Sequence, residues 1–514
     1  MLSLDNVKVL VLEPANQAHP SREMARPNGS LGPLYLIGSL RRRGIHADYL
    51  DGTVGWDSSK LQETFFNHIQ LENGNVRYGL SNEFLSEIIS NYDVVATSSI
   101  FSVQTRMNFE VANVAKKVAA QRGKKILTVS GGVNARALRE HFLSNNFDIV
   151  ALSEGEETII EIVTQMVKPK PDFSKINGIA FRIGNKTIIN PVKRSTVRQK
   201  NLDYLPAPAF DVLPIDIYSQ LGITHGGKFK KGFKHATIQT SRGCQDKCTF
   251  CHISIEKKYP DLFGNIASLR GFSSERIASD VKQASDLGVT RLYIEDDNLF
   301  YGKRRLRELA PSLKRDGIEY SNINGANLRF LFKKTSGKDF EIDYEFIEML
   351  ADFGLIEFSL SFETNNMEMM NKYASGKFDL DNLNSVKLVK ALTKAGIRCF
   401  GSFLIGFKDE PWESVIGTKN FAKILIDSGL SAAGFAVPVP YPGTIDFENI
   451  MRNKTIRENF NRDPLSYCDH MQTRGKPLFP TAIPAEKLYS AVEEFWFEVN
   501  DTKHTSSRIQ HNVN

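Results

Sequence analysis

Three of the chain's five cysteines lie in one short segment, Ser241-Arg-Gly-Cys-Gln-Asp-Lys-Cys-Thr-Phe-Cys251, which sets Cys244, Cys248 and Cys251 in C-x3-C-x2-C spacing. Thiolates are soft ligands, and three on one loop can hold a soft metal centre. Two kinds of centre stay open on this spacing. A structural zinc takes four ligands, and His252, immediately beside Cys251, is too close in sequence to complete a tetrahedron easily; that reading makes the chain a zinc-binding module without turnover. A four-iron cluster is normally held by four cysteines, so three leave one iron free to bind something else. The other two cysteines read as structural: Cys399 inside the run Arg398-Cys-Phe-Gly-Ser-Phe-Leu404, and Cys468 within Tyr467-Cys-Asp-His470. Five cysteines in 514 residues are too few for a disulfide framework.

Carboxylates are the second group that could do chemistry, because they accept hydrogen bonds from ammonium and hydroxyl groups. Glu295, Asp296 and Asp297 close one apolar run, and Glu363 closes another, where a charged group requires water, a partner or a ligand. Glycine loops form a third group, since glycine lets a backbone approach a ligand closely. They are Arg26-Pro-Asn-Gly-Ser-Leu-Gly32, Ser130-Gly-Gly132 and Ser153-Glu-Gly-Glu156.

These residues are positioned by alternating strands and helices. Over the first 165 residues, short apolar runs at 7–12, 46–50, 94–98, 126–130 and 149–152 alternate with helical periodicity at 32–43, 106–122 and 157–166. That is the pattern of a doubly wound parallel sheet, which binds ligands at the carboxyl ends of its strands. Residues 166–230 read as a linker with a small hairpin turning at Gly184-Asn185, followed by the proline-rich Leu205-Pro-Ala-Pro-Ala-Phe-Asp-Val-Leu-Pro214. From 231 to 445 the alternation resumes, with strands expected at 237–239, 291–295, 320–324, 356–361, 398–404 and 434–437. Helical stretches at 274–287, 303–316, 343–353, 382–395 and 412–428 separate them, so the region reads as a partial (β/α)6 TIM-like barrel. The cysteine loop then sits at the carboxyl end of the first barrel strand, the end at which barrel enzymes place their chemistry. Residues 446–514 form a C-terminal extension with a helix expected at 485–500.

Composition narrows the function classes. Hydrophobic residues at 41% and charged residues at 24% are those of a folded globular chain. A net charge of +6, with basic residues scattered rather than gathered in a stripe, does not point to nucleic acid. There is no apolar run of about 20 residues, and the N-terminus is broken by Asp5, Lys8 and Glu13, so the expected location is cytoplasmic, with no membrane span.

With Phe250 before its last cysteine, the C-x3-C-x2-C segment resembles the radical S-adenosylmethionine (radical SAM) superfamily. Tyr293-Ile-Glu-Asp-Asp-Asn298, Asn327-Leu-Arg329, Ser361-Phe-Glu-Thr364, Phe403-Leu-Ile-Gly-Phe407 and Val439-Pro-Tyr-Pro-Gly-Thr444 are similar to segments of that superfamily in the same order. Through Leu31-Gly-Pro-Leu34, Ser130-Gly-Gly132 and Glu154-Gly-Glu156, the first domain resembles the cobalamin-binding domain of the B12-dependent radical SAM family. The two resemblances together cover about residues 5–445.

The resemblance implies an α/β protein with a flavodoxin- or Rossmann-like B12-binding domain (1–165), the linker (166–230), a radical SAM barrel (231–445) and a substrate-side extension (446–514). It implies a 4Fe-4S cluster on Cys244, Cys248 and Cys251, and S-adenosyl-L-methionine positioned by Phe250, Glu295, Asp297, Arg329 and Glu363. It places cobalamin on Asn28, Gly29, Leu31, Ser99, Ser130, Gly131, Gly132, Glu154 and Gly155. The implied activity starts with a 5′-deoxyadenosyl radical and ends, in the class B methylase branch, in methylation of an unactivated carbon of a small-molecule intermediate. The runner-up outcome is an oxidative cyclisation or rearrangement, as in the anaerobic porphyrin cyclase-like branch. An electron donor such as flavodoxin or ferredoxin is implied as partner. One departure stands out: the loop Glu13-Pro-Ala-Asn-Gln-Ala-His-Pro20 lacks the Asp-x-His-x-x-Gly motif that supplies a cobalt-ligating histidine in mutase-type domains, so the lower face of a bound cobalamin is expected without one, although His19 lies near.

Overall fold

The computed structural model describes residues 3–20, 24–27, 29–192, 201–222, 232–299, 302–335, 339–381, 383–469 and 480–500. Two large sheets organise them. The first contains β1 (Lys8–Glu13), β2 (His46–Asp51), β3 (Val94–Ser98), β4 (Leu127–Gly131), β5 (Ile149–Ala151), β6 (Ile179–Ile183) and β7 (Lys186–Asn190), in the order β7-β6-β5-β4-β3-β1-β2. β1 to β5 pair in parallel, and the order reverses between β1 and β3, where a doubly wound sheet opens a ligand crevice. Helices α1 (Leu31–Arg42), α2 (Thr105–Arg122) and α3 (Gly155–Met166) cover this sheet.

The hairpin read as part of a linker is built into that sheet. β6 pairs antiparallel with β5, with Ile149 opposite Phe181, and buries Ile179, Ala180 and Phe181. The proline-rich stretch is likewise packed: Ala209 N donates to Leu34 O at 3.2 Å, and Arg276 donates to the carbonyls of Leu205 and Pro206, both at 2.6 Å. A small sheet of Asn16–Ala18, Ile69–Gln70 and Val76–Tyr78 has no counterpart in the sequence reading, because strands of two or three residues carry no periodicity to detect.

The second sheet has six strands, β8 (His235–Ile238), β9 (Arg291–Ile294), β10 (Glu319–Asn322), β11 (Leu355–Glu363), β12 (Arg398–Leu404) and β13 (Ala432–Ala436), all parallel and in chain order. Right-handed crossovers between successive parallel strands put the helices on one face, so such a sheet curls into an incomplete barrel. The crossover helices are α4 (Ser274–Asp286), α5 (Lys303–Leu313), α6 (Tyr344–Asp352), α7 (Ser385–Lys394) and α8 (Trp412–Asp427). Short polar residues start three of them: Ser273, Asp343 and Asn384 accept from the backbone N–H groups of Arg276, Phe346 and Lys387. Phe362, Phe403 and Phe435 stack across β11, β12 and β13 with ring centroids 5.6 and 5.5 Å apart.

The C-terminal extension, opaque in sequence, touches both halves. Helix α9 (Ala485–Val499) packs on β13, and the Asn500 amide pairs with Ala433 N and O at 2.8 and 2.9 Å, satisfying an edge strand that would otherwise be open. The short helix Pro464–Asp469 docks on the first half, where Asp469 accepts from Arg106 at 2.5 Å and from Gln17 at 2.7 Å. Among the described residues no helix is long and apolar enough to cross a membrane.

Candidate active site

The cysteine loop leaves the carboxyl end of β8 and is held by the acidic residues that follow β9. Asp296, fully buried, accepts from Thr240 N and Ser241 Oγ, both at 2.6 Å, and from the Thr240 hydroxyl. Asp297 accepts from Gly243 N at 2.6 Å. Gly243 has φ +87°, and a Cβ there would stand 2.4 Å from Ser268 O, so only glycine makes this entry to Cys244. Within the loop, Asp246 N donates to Cys244 Sγ at 3.4 Å, and Asn298 Nδ2 lies 3.9 Å from the same sulfur. Asn327 Nδ2 donates to the Asp246 carboxylate at 3.2 Å.

Burial pushes the Cys248 and Cys251 thiols up to about 12, and that of Cys244 in the same direction, so the cysteines by themselves are thiols. Binding to metal removes those protons. Among the described residues no three His, Cys, Asp or Glu side chains are arranged to grip a single metal ion. A cubane cluster has another requirement, one thiolate for each of three different irons, so its sulfurs need not converge on one point. The loop also holds an orphaned amide: neither Nε2 nor Oε1 of Gln245 has a hydrogen-bond partner, although both are buried. A buried polar group left unpaired costs roughly 1–3 kcal/mol, which a group bound in the loop would remove. The donor set therefore fits an iron-sulfur cluster better than a lone zinc.

The residues expected around SAM fall into three environments. Glu295 and Asp297 are half-buried beside the cysteine loop. Glu363 is buried at the end of β11, in the left-handed region at φ 62°, where the register with β12 shifts, and it is ion-paired with Lys377. A non-glycine residue held there is strained, a feature that clusters at functional sites. Phe250 packs against Phe407 at 6.3 Å between ring centroids, which makes it part of an aromatic wall, and Arg329 is exposed.

The loops expected to hold cobalamin lie at the carboxyl edge of the first sheet, and most of their polar atoms have protein partners. Asn134 Nδ2 donates to Ser99 Oγ at 2.9 Å, and Thr97 donates to Ser130 Oγ at 3.1 Å. Gly132, at φ +93°, is required by the close approach of Ser99 O, 2.5 Å from where its Cβ would be. Gly131 has more room, Gly29 lies against Leu213, Leu31 is buried at the start of α1, and Gly155 lies under Leu36 where α1 and α3 meet. Asn28 lies outside the described residues. Two buried oxygens at this edge, Asn134 Oδ1 and Ser102 Oγ, lack partners and suit the amide-rich rim of a corrin.

The Glu154 side chain, in one of the loops expected to hold cobalamin, pairs with two arginines of the second half. It accepts from Arg270 and Arg242 at 2.8 and 2.9 Å, and Glu156 pairs with Arg242 at 2.7 Å. Burial alone would raise the Glu154 pKa, but the two guanidinium groups more than offset it and bring it to about 2. Because Arg242 stands two residues before Cys244, this seam ties the edge of the first sheet to the cysteine loop. A second tie joins Arg136, beyond β4, to Glu256, which also holds His252 Nδ1 at 2.8 Å.

Arg136, Arg242, Asp246, Arg270, Asn298 and Lys377 are therefore site residues that the sequence reading did not assign. The only sequence signal at Arg242 is its place two residues before Cys244. Lys377 carried no signal, since its partner Glu363 is 14 residues away and the turn between them has no periodic pattern.

Residues 238–422 match the radical SAM superfamily. The chain is 25% identical to an uncharacterized methyltransferase of Pyrococcus horikoshii, over 90% of this chain and 88% of that one. It is 24% identical to the cytidylyl-2-hydroxyethylphosphonate methyltransferase of Streptomyces wedmorensis, over 85% of this chain and 80% of the relative. The fold is similar to that of the radical SAM methyltransferase TsrM from Kitasatospora setae, solved with cobalamin and a 4Fe-4S cluster bound, at a TM-score of 0.60 and 15% identity over 87% of this chain and 74% of TsrM. The chain is an enzyme with a radical SAM domain over residues 238–422, and over most of its length it is similar to proteins named as methyltransferases.

Proposed function

We propose that the chain is a cobalamin-dependent radical SAM methyltransferase that methylates an unactivated carbon of a small molecule. The observation that carries this reading is the seam: Glu154 and Glu156, at the carboxyl edge of the first sheet, grip Arg242 and so fix that edge against the cysteine loop of the second. Relatives named for small-molecule methylation support it, among them the cytidylyl-2-hydroxyethylphosphonate and carbapenam-3-carboxylate methyltransferases.

Cys244, Cys248 and Cys251 would hold the 4Fe-4S cluster, with SAM on its open iron beside Glu295, Asp297 and Glu363 and with Arg329 at the exposed rim. Cobalamin would lie on the loops around Ser99 and Ser130–Gly132. When bound, the cluster and SAM supply a 5′-deoxyadenosyl radical, and cobalamin supplies a transferable methyl group. The protein's part is positional. Asp296 and Asp297 fix the start of the cysteine loop, and Asn327 orients Asp246 beside Cys244. The Phe362, Phe403 and Phe435 stack packs the last three strands against Phe421 of α8 and Phe495 of α9 and so holds the outer layer on the sheet that carries the site. A low-potential donor such as flavodoxin or ferredoxin would deliver the electrons.

The test is an anaerobic assay of reconstituted protein with SAM, reductant and hydroxocobalamin. It measures 5′-deoxyadenosine, S-adenosylhomocysteine and the cobalamin retained after desalting, beside Cys248→Ala. Retained cobalamin and 5′-deoxyadenosine in the wild type, with no 5′-deoxyadenosine in the variant, is the expected result. Production of 5′-deoxyadenosine without retained cobalamin would remove the methylase reading and leave the radical one.

A further inference from the structure

Of residues 243–251, which form the cysteine loop, only Lys247 is exposed. Elsewhere the loop is covered: Glu154 and Glu156 grip Arg242 just before it, and Asp296 and Asp297 hold its start against the barrel. Two neighbours border its outer side. The chain beyond β11 meets it where Thr249 N donates to Tyr373 O at 2.9 Å and Lys247 N donates to Ser375 Oγ at 3.1 Å. The short helix Ile445–Ile450 meets it where Asp446 N donates to Thr249 O at 3.2 Å and the Thr249 hydroxyl donates to the Asp446 carboxylate at 3.1 Å. Behind this face Tyr373 stacks on Phe407 with ring centroids 4.9 Å apart, and Phe407 packs on Phe250, so the border is built on a filled aromatic layer.

The same face has more cations than carboxylates. Lys258, at the end of the helix His252–Lys258, and Arg452 share one carboxylate, Glu448, at 2.5 and 3.7 Å. Lys372 is matched by Asp409, and the exposed Lys408 and Glu368 at the margin offset each other. Lys257 Nζ donates to a backbone carbonyl, that of Asp246, at 2.6 Å. Among the described residues no carboxylate pairs with Lys257 or with Lys247, which leaves a positive surplus centred on the one exposed residue of the loop.

We infer that this face, centred on Lys247, docks an acidic one-electron carrier protein. The inference rests on the function proposed above, whose chemistry begins with an electron delivered to a cluster on Cys244, Cys248 and Cys251. Electron transfer weakens steeply with distance, so the carrier must sit where those ligands come nearest to solvent, and Lys247, directly before Cys248, marks that point. The carrier loses one electron and the cluster core gains it, going from +2 to +1; no bond forms or breaks, and no proton passes between them. Redox encounters use small interfaces, below about 1,200 Å², so a handful of lysines can set the approach. Complementary charge speeds such an encounter, and salt screens it.

The experiment uses the full-length protein reconstituted anaerobically, with an acidic flavodoxin, kept reduced by its reductase and NADPH, as the probe. Wild type is compared with Lys247→Glu, Lys247→Arg, Lys258→Glu and, as a distant exposed control on α4, Lys282→Glu. Formation of 5′-deoxyadenosine is followed against flavodoxin concentration at rising salt, and again with dithionite, a small reductant that needs no docking face; iron and sulfide are counted in each protein. In the wild type, kcat/KM for flavodoxin is expected to fall as salt rises. Lys247→Glu should lower it about tenfold and Lys258→Glu about threefold, while Lys247→Arg and Lys282→Glu keep the wild-type value. With dithionite all of them should turn over alike. A flavodoxin-driven rate that is insensitive to salt, or unchanged in Lys247→Glu and Lys258→Glu, overturns the inference. An equal loss with dithionite overturns it too, since the lysines would then serve the cluster rather than a partner, and so does an equal loss in Lys282→Glu, which would be an effect of overall charge. A wild type that forms no 5′-deoxyadenosine with dithionite would bring down the proposed function as well; normal turnover with dithionite and none with flavodoxin would strike the docking face alone.

Discussion

The two sheets present their carboxyl edges to each other and treat their polar groups in opposite ways. At the first edge, Ser99, Ser130, Glu13 and Asp51 are bonded within the protein: the Tyr49 hydroxyl donates to Glu13, and that of Tyr218, from the segment between the two halves, to Asp51 at 2.8 Å. At the second edge, carboxylates are turned on the backbone of a loop whose cysteine thiols and Gln245 amide are left for something else. The difference teaches that the first edge is bonded within the protein except at a few atoms such as Asn134 Oδ1 and Ser102 Oγ, whereas the other is a socket completed only by what it binds.

The largest expected effect is at the socket. Cys248→Ala should take 5′-deoxyadenosine formation to background while the cluster-free protein melts within about 1 kcal/mol of wild type, because a small apolar replacement fills most of the thiol's space. A large fall in melting temperature of the cluster-free variant would mean that the cysteine serves packing instead.

Breaking the seam comes next. Arg242→Met strands the buried Glu156 and leaves Glu154 with Arg270 alone, and loss of one partner from a buried ion pair costs about 3–5 kcal/mol. Methyl transfer should fall about 10- to 100-fold, since misplacement by an ångström has that effect, and more than 5′-deoxyadenosine formation falls. Equal losses of the two products would show that the seam does not align the halves.

Asp296→Ala is expected to cost about 1–3 kcal/mol, through donors left without an acceptor, and to lower iron content after reconstitution. Calorimetry and iron analysis read both; normal iron content would show that the loop holds its shape without Asp296.

The smallest effect on turnover belongs to the first edge. Burial, with the neighbouring Asp51 charge, raises the Glu13 carboxyl from 4.5 to about 7. A raised carboxyl contributes stability that is full below pH 4.5 and is lost as pH rises through 7. Glu13→Gln should therefore remove part of the downward slope of stability between those values, in urea titrations of the cluster-free protein. An unaltered slope would mean that Glu13 titrates normally.

Much of the architecture was legible because it is local. Strands such as those at Val94–Ser98 and Arg398–Leu404 announce themselves through apolar runs, and the helix starting at Ser274 through its cap and periodicity. The hairpin Ile179–Asn190 was visible as a hairpin, but its membership of the first sheet depends on β5, about 30 residues earlier. The same limit applied to the site. The cysteine spacing stood in one short segment, whereas the pairing of Glu154 with Arg242 and Arg270 brings in partners from the other half of the chain.

The sequence by itself determined the ligand chemistry, the alternation of strands and helices, and the place of the cysteine loop after the first barrel strand, all of which depend on neighbours along the chain. Only the tertiary structure decided which charges meet across the seam, that Lys377 meets Glu363, and that the C-terminal extension closes the edge of β13. The physical reason is that a buried charge or an open strand edge must find a partner, and nothing in the order of residues says from how far away that partner will come.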